Sequence, residues 1–203
     1  MKILKINPNN PEENAINAAV DILEKGNTII YPTDTVYGIG ANIFDIGAVK
    51  KVYSIKKRFP TKPISACVSK IEDIHKIAFM DKNVEDIVEN ILPGPFTIIL
   101  KKKETVPSIL TAGEEKIGIR IPDNKICMEL SKEFPITTTS ANISGKQIPE
   151  TVDGILKQLD YNIDLILDAG TCKHGIHSTV IDMTVSPPKI VRKGAVIPDL
   201  NYY

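Results

Sequence analysis

An α/β fold is the class this sequence predicts, as a single domain over residues 1–203 with a twisted mixed sheet flanked by helices. Three observations predict it. Short apolar runs of strand length alternate with amphipathic stretches of helical period along the whole chain. Residues 178–183 and 189–192 flank Ser186-Pro187-Pro188 as a late hairpin, which adds antiparallel pairing to the sheet. No internal repeat, low-complexity tract or linker interrupts the alternation.

Taken in order, residues 3–6 form a first strand. Asn10-Pro11-Glu12-Glu13 has the form of a helix start, with Asn10 as N-cap, proline at the first position and acid in the first turn. Ile16, Ala19, Val20 and Leu23 then share one face, and Gly26 closes the helix. Residues 28–30 predict a buried strand that breaks at Pro32. Asp45 caps a second helix with Ile46, Val49, Val52 and Tyr53 inward, and Pro60 and Pro63 prevent it from continuing. Residues 64–68 read as a strand, and Ser69-Lys70-Ile71-Glu72 as a capping box opening a short helix through Ile74 and Ile77. Asp81 begins another helix, with Val84, Ile87, Val88 and Ile91 on one face. Beyond Pro93-Gly94-Pro95 come strands at 96–100 and 117–121, then a helix capped by Asp123 that carries Ile126, Cys127 and Leu130. A strand at 136–139 delivers Ser140-Ala141-Asn142-Ile143-Ser144-Gly145 to its end. A short helix with Ile155, Leu156 and Leu159 and a strand at 165–167 lead to the hairpin.

Composition narrows the function classes. With 42% hydrophobic and 25% charged residues the chain has the make-up of a soluble globular domain, and no apolar run is long enough to span a bilayer. Met1-Lys2-Ile3-Leu4 passes directly into polar residues, so a cytoplasmic location without membrane association is expected. Net charge is zero, so any polyanion must be held locally. Cys67, Cys127 and Cys172 are odd in number and far apart, which argues for reduced thiols. The cluster Cys172, His174, His177 lacks a fourth ligand and a familiar zinc spacing.

Several loops carry groups of complementary kinds. Tyr31-Pro32-Thr33-Asp34-Thr35-Val36-Tyr37-Gly38-Ile39-Gly40 puts two hydroxyls and a carboxylate at a strand end, where open α/β sheets seat ligands; an ordinary surface turn uses the same residues. Lys56, Arg58 and Lys62 form a cationic segment suited to phosphate or carboxylate, or to the C-terminal pole of a helix in water. Arg120 lies within an apolar strand, so it pairs with a buried carboxylate or holds an anionic ligand. Familiar nucleotide motifs are absent: no Gly-x-Gly-x-x-Gly follows a strand, and Gly145-Lys146 lacks the P-loop's first glycine and its Ser/Thr. His177, Ser178 and Asp182 do not make a hydrolase triad if adjacent strand residues point to opposite faces.

Seven ordered motifs carry a resemblance. They are the Tyr31 to Gly38 run, Lys56-x-Arg58 with Lys62-Pro63, Pro93-Gly94-Pro95-x-Thr97, Gly118-x-Arg120-x-Pro122, Ser140-Ala141-Asn142-x-Ser144-Gly145, Ser178-Thr179-Val180 and Arg192-x-Gly194. From the first helix to about Val196 the chain resembles the YrdC/Sua5 family of threonylcarbamoyl-AMP synthases, in a single-domain form. The resemblance implies a YrdC-like fold. It also implies a nucleotidyltransfer in which L-threonine, bicarbonate or carbon dioxide, and ATP give threonylcarbamoyl-AMP, pyrophosphate and water. The product would pass to a threonylcarbamoyl transferase that forms N6-threonylcarbamoyladenosine (t6A) on tRNA. By motif position, Lys56, Arg58 and Lys62 are expected on the ATP phosphates alongside Mg2+, with no metal ligand from protein side chains. Ser140 and Asn142 would line the joint between amino acid and nucleotide, and Arg192 would contact the nucleotide. Thr35, with Thr33 as the weaker candidate, would contact the amino acid, Arg120 would grip its carboxylate and Ser178 would lie nearby. The Lys-x-Arg and Ser-x-Asn pair sets the synthases apart from a related branch of unknown role. Cys67 stands where the family often has histidine. An RNA-binding module without adenylation activity is the alternative, and zero net charge limits it to weak RNA binding. Carbamoyl-adenylate formation of the hydrogenase-maturation type is a second enzyme reading; the resemblance there is to long chains with zinc-finger and acylphosphatase domains, which are not expected in this protein.

Overall fold

The computed structural model describes residues 1–159 and 163–199; of the domain expected over 1–203, residues 160–162 and 200–203 lie outside the described residues. Its strands are β1 (Lys2–Lys5), β2 (Ile29–Tyr31), β3 (Gly38–Gly40), β4 (Ser65–Cys67), β5 (Ala78–Phe79), β6 (Phe96–Lys102), β7 (Lys116–Arg120), β8 (Ile136–Ser140), β9 (Leu165–Asp168), β10 (Thr179–Asp182) and β11 (Lys189–Arg192). Its helices are α1 (Glu13–Glu24), α2 (Ile46–Ile55), α3 (Ile71–Ile77), α4 (Lys82–Ile91), α5 (Lys125–Leu130) and α6 (Val152–Leu156). The strands join in the order β1-β9-β2-β3-β8-β4-β7-β6-β10-β11, with β5 on β6. Pairing is mixed as expected: β1 and β2 run parallel to β9, β4 to β7 and β6 to β10, while β3, β8 and the β10–β11 hairpin pair antiparallel with their neighbours.

Period-two alternation divides the sheet into two faces. Thr137, Ala66, Ile119, Ile98 and Ile181 sit in one paired row across β8, β4, β7, β6 and β10. All five are fully buried. On that side they form one core with Val49 and Val52 of α2, Ile74 and Ile77 of α3, Val88 of α4 and Ile155 of α6, Thr137 excepted as a polar member of the row. The opposite face is covered over part of its area by α1 and α5, through Ala19, Leu23, Ile126 and Leu130 packed on Ile29, Tyr31, Ile136 and Leu165. The rest of that face bears polar residues and is open.

Local chemistry sets the element ends, and three capping expectations are corrected. Asn10 does not cap α1; the helix begins two residues later than expected, with Glu12 at the N-cap, and the Glu12 carboxylate accepts from the Asn7 amide instead. Ser69 makes no capping box: Lys70 occupies the cap, and the Ser69 hydroxyl donates to Asp73 at 2.8 Å. Asn124, not Asp123, caps α5, accepting from the Ile126 and Cys127 amides. Asp45 and Asp81 cap α2 and α4 as expected. Gly26 follows α1 with a φ of 69°, the left-handed conformation that lets the Asn27 amide reach the Ile22 carbonyl.

Gly38-Ile39-Gly40 is a strand rather than a loop. The Tyr31 ring lies across it, so a Cβ on Gly38 or Gly40 would come within 3.2 and 3.0 Å of that ring. Tyr31 donates its hydroxyl to the Thr137 carbonyl, and Tyr37 to the Gly170 carbonyl. These two tyrosines therefore hold the signature loop in place from either side.

Candidate active site

The open part of the sheet face floors a cavity of about 670 Å³. Strand periodicity supplies the floor: Thr97 and Ile99 from β6, Lys116, Gly118 and Arg120 from β7, Ser65 from β4, Thr138 and Ser140 from β8, and Val180 and Asp182 from β10. Three loops wall it, carrying Thr35 and Val36, Lys56 and Arg58, and Asn142 to Lys146. Six cationic side chains line it against two carboxylates, Glu114 and Asp182. Lys116 pairs with Asp182 at 3.1 Å and Arg120 with the buried Asp34 behind the wall, so the other four cations make the cavity suited to an anion.

The loop after β2 is built around Thr33. Its hydroxyl donates to the Val36 carbonyl at 2.7 Å and accepts from the Thr35 and Val36 amides, so it closes the turn and does not line the cavity. Thr35 does line it. Asp34 is buried and accepts from Arg120 Nη2 at 2.7 Å, and Thr35 Oγ1 lies 2.9 Å from the same nitrogen. Arg120 thus makes the ion pair with a buried carboxylate that the sequence offered as one alternative, and it also stands on the cavity wall. Its Nε is buried with no hydrogen-bond partner among the described residues.

Lys56 joins two motifs that are distant in sequence. Although it caps α2, its side chain runs inward and is almost fully buried. Its ammonium donates to the Ser140 carbonyl, to the Asn142 carbonyl at 2.9 Å and to Asn142 Oδ1 at 3.1 Å. Its own carbonyl accepts from the Ser144 amide at 2.9 Å. Ser140 Oγ donates to Asn142 Oδ1 at 2.6 Å, and Asn142 Nδ2 to the Ile143 and Lys146 carbonyls. Burial, with Arg58 nearby, pushes the Lys56 ammonium down to about 7. Ser144 Oγ is buried beside it without a partner among the described residues.

Arg58 is turned back on its own loop, donating from Nε to the Lys62 carbonyl and from Nη2 to the Pro63 carbonyl at 2.8 Å. Lys62 contributes that carbonyl; its side chain is exposed and does not line the cavity. On the far wall Arg192 donates to the Ser178 carbonyl at 2.9 Å and to Ser178 Oγ at 3.2 Å, while Ser178 Oγ also meets Thr97 Oγ1 at 2.7 Å. Burial first, then Arg120 and Arg58, lowers the Arg192 guanidinium from its usual range, as three cations press on one space.

Of the ten residues expected in the site, eight line this one cavity: Thr35, Lys56, Arg58, Arg120, Ser140, Asn142, Ser178 and Arg192. Thr33 and Lys62 do not. Sequence reasoning missed Lys116, Gly118, Thr138 and His177. The first two lie four and two residues before Arg120, and Thr138 two before Ser140, so strand alternation would have found them. His177 and Ser178 both line the cavity because they precede β10, where alternation does not apply. Ser178 bonds Thr97 and Arg192 rather than His177, which removes the triad reading. Among the described residues no group of three or more His, Cys, Asp or Glu could hold a metal.

Gly194 fixes this wall. A Cβ there would lie 2.3 Å from the His177 carbonyl oxygen and 2.4 Å from the Thr179 amide nitrogen, all backbone that cannot yield. Gly194→Ala is therefore expected to lift the end of β11, cost about 1–3 kcal/mol of stability as overpacking does, and loosen Arg192 from Ser178. Thermal unfolding of the variant tests this, and a melting temperature equal to wild type would refute it.

The family model Sua5_yciO_yrdC, described as telomere recombination, matches residues 21–194. A candidate threonylcarbamoyl-AMP synthase of Methanocaldococcus jannaschii is 44% identical over 199 residues, which span 96% of this chain and 94% of that one. The crystal structure of Pyrococcus abyssi Sua5 complexed with L-threonine superposes with a TM-score of 0.91 at 34% identity, covering 96% of this chain and 58% of that chain. Escherichia coli YciO superposes with a TM-score of 0.89 at 30% identity, covering 98% and 99%.

Proposed function

Because the chain belongs to the YrdC/Sua5 family, we propose that it is an L-threonylcarbamoyladenylate synthase, converting L-threonine, bicarbonate and ATP into threonylcarbamoyl-AMP, pyrophosphate and water. The water leaves as bicarbonate gives carbon dioxide; carbon dioxide supplied as such gives the same products without that water. The product would serve t6A formation on tRNA. The observation that carries this reading is the lacing of Lys56 to Ser140 and Asn142, which unites the Lys-x-Arg and Ser-x-Asn motifs in one wall of one cationic cavity.

The residues suit the chemistry. The substrate amine attacks carbon dioxide, and the carbamate oxygen then attacks the α-phosphorus and expels pyrophosphate. Such a reaction needs positioning and neutralisation of phosphate charge more than a protein nucleophile. Arg120, with Nε unpaired, takes the amino-acid carboxylate beside Thr35 and Ser178. Arg58 and Arg192 receive the nucleotide from opposite walls, and Lys56 both shapes the Ser140 to Gly145 loop and places a charge behind it. Magnesium enters with the ATP phosphates rather than on a protein cage.

Pyrophosphate release from ATP tests this directly. Release is expected to require both L-threonine and bicarbonate, to fall about 10–200-fold with serine, as loss of one methyl from an apolar contact does, and to fall about 100-fold or more in Arg58→Ala. Release indifferent to threonine and bicarbonate would overturn the reading.

A further inference from the structure

We propose that His177 is the base that takes the proton from the substrate's α-ammonium, an inference that rests on the synthase reading and deepens it. An amino acid arrives with its amine protonated at neutral pH and cannot attack until that proton leaves. One proton goes to the imidazole, the freed lone pair forms the N–C bond to carbon dioxide as one C=O π pair moves onto oxygen, and the second amine proton passes to solvent water at the cavity mouth as the carbamate forms. The cavity must therefore offer that first proton an acceptor.

Other lining groups are committed. Lys56, although pushed down to about 7, is almost fully buried with its nitrogen held against three oxygens of the Ser140–Asn142 loop, which leaves it less open to substrate than His177. Asp182 is held by Lys116 and by the Thr184 hydroxyl at 2.6 Å, and Glu114 is exposed at the rim. The His177 ring is half-buried, lines the cavity next to Ser178 and makes no side-chain hydrogen bond to any described residue. Its backbone is pinned by the Ala195 amide, which donates to the His177 carbonyl at 2.8 Å, and by the close approach of Gly194.

The electrostatics agree with the geometry. Burial first, then Arg192 on β11, Lys56 at the end of α2 and Arg120 on β7, lower the imidazole from its ordinary value. It is neutral at pH 7 with a lone pair to offer. The cations that attract the carboxylate and phosphates thus also keep the base unprotonated.

The test is the pH profile of pyrophosphate release in wild type and His177→Gln, which keeps side-chain polarity and approximate size but cannot titrate. In wild type, kcat/KM for threonine should fall on the acid side with an apparent pKa below 6.5, matching the His177 titration followed by NMR. His177→Gln should lose that limb and about 10²–10⁴-fold in kcat, the range for a general base, with KM for ATP and the melting temperature unchanged. An active wild type beside a variant that keeps the acid limb, or keeps its kcat, would overturn the role of His177 alone. A wild type that releases no pyrophosphate on addition of threonine would overturn the synthase reading and this inference with it.

Discussion

Asp34→Ala is expected to destabilise the protein by about 3–5 kcal/mol, because removing one member of a buried ion pair strands the other charge. The side chains of Arg120 and Asp34 are 7% and 0% exposed, so solvent cannot take over the guanidinium. Asp34 also accepts from the Asp123 amide, and that donor would be orphaned too. For a domain of this size the loss corresponds to a fall of roughly 6–20 °C in melting temperature. A double variant, Asp34→Ala with Arg120→Met, separates structure from chemistry. It removes both charges and should recover most of the stability, but not threonine-dependent turnover, since the proposed carboxylate grip is removed with Arg120. Denaturant unfolding and pyrophosphate release measured together check this. An Asp34→Ala variant within about 1 kcal/mol of wild type, the scale of an exposed pair, would show that Arg120 is compensated elsewhere.

The second large effect is expected at Lys56. Lys56→Met keeps most of the buried stem but leaves the Ser140 carbonyl and both Asn142 oxygens without the ammonium, so the loop at the cavity wall loses its tether. Pyrophosphate release should fall by about 10²–10³-fold, as when one preorganised donor is removed. A pH signature accompanies it. With its ammonium at about 7 in the folded protein, well below its ordinary value, Lys56 is largely neutral above that pH. Bound phosphate favours the charged form, so nucleotide binding should take up a proton and weaken as pH rises through 7, by up to about tenfold per unit. Stability runs the other way. Below pH 7 the burial penalty on the ammonium is full. Between 7 and the unfolded value the unfolded chain binds more protons, so this group's contribution rises with pH. Calorimetric titration with ATP in buffers of different ionisation heat reads the uptake, and Lys56→Met should abolish it. Uptake that persists in the variant would assign the proton to another group.

Much of the fold was legible because burial and periodicity coincide. Ile16, Ala19 and Leu23 do face the core from α1, and Val49, Val52 and Tyr53 do so from α2, whereas Ile46, expected inward with them, is exposed on the first turn. What escaped had physical reasons. Gly38-Ile39-Gly40 carries glycines because the Tyr31 ring occupies the space of their side chains, a tertiary demand that reads locally as a loop. The two-residue strand β5 is too short for any pattern. Capping was misread where other partners intervened: Asp73 takes the Ser69 hydroxyl, and Asn10 is held in a turn by Asn7 Oδ1, so that α1 takes its N-cap at Glu12 instead.

The candidate site was legible through residue type at strand ends, which converge because the sheet brings β4, β6, β7, β8 and β10 side by side. Roles within it were less so. Nothing local to Lys56 shows that its ammonium turns inward to a loop more than 80 residues away. Likewise Thr33 and Thr35 look equivalent in sequence, yet one closes the turn and the other faces the cavity.

On the proposed reading, one cavity joins an amino acid, inorganic carbon and a nucleotide. Incorporation of labelled bicarbonate measures it most directly. With the protein, ATP and L-threonine all present, label should appear in a new AMP conjugate that also contains threonine, and omission of any one component should abolish it. Pyrophosphate formed without label in any nucleotide product, or no labelled product while ATP and threonine both bind, would contradict the account.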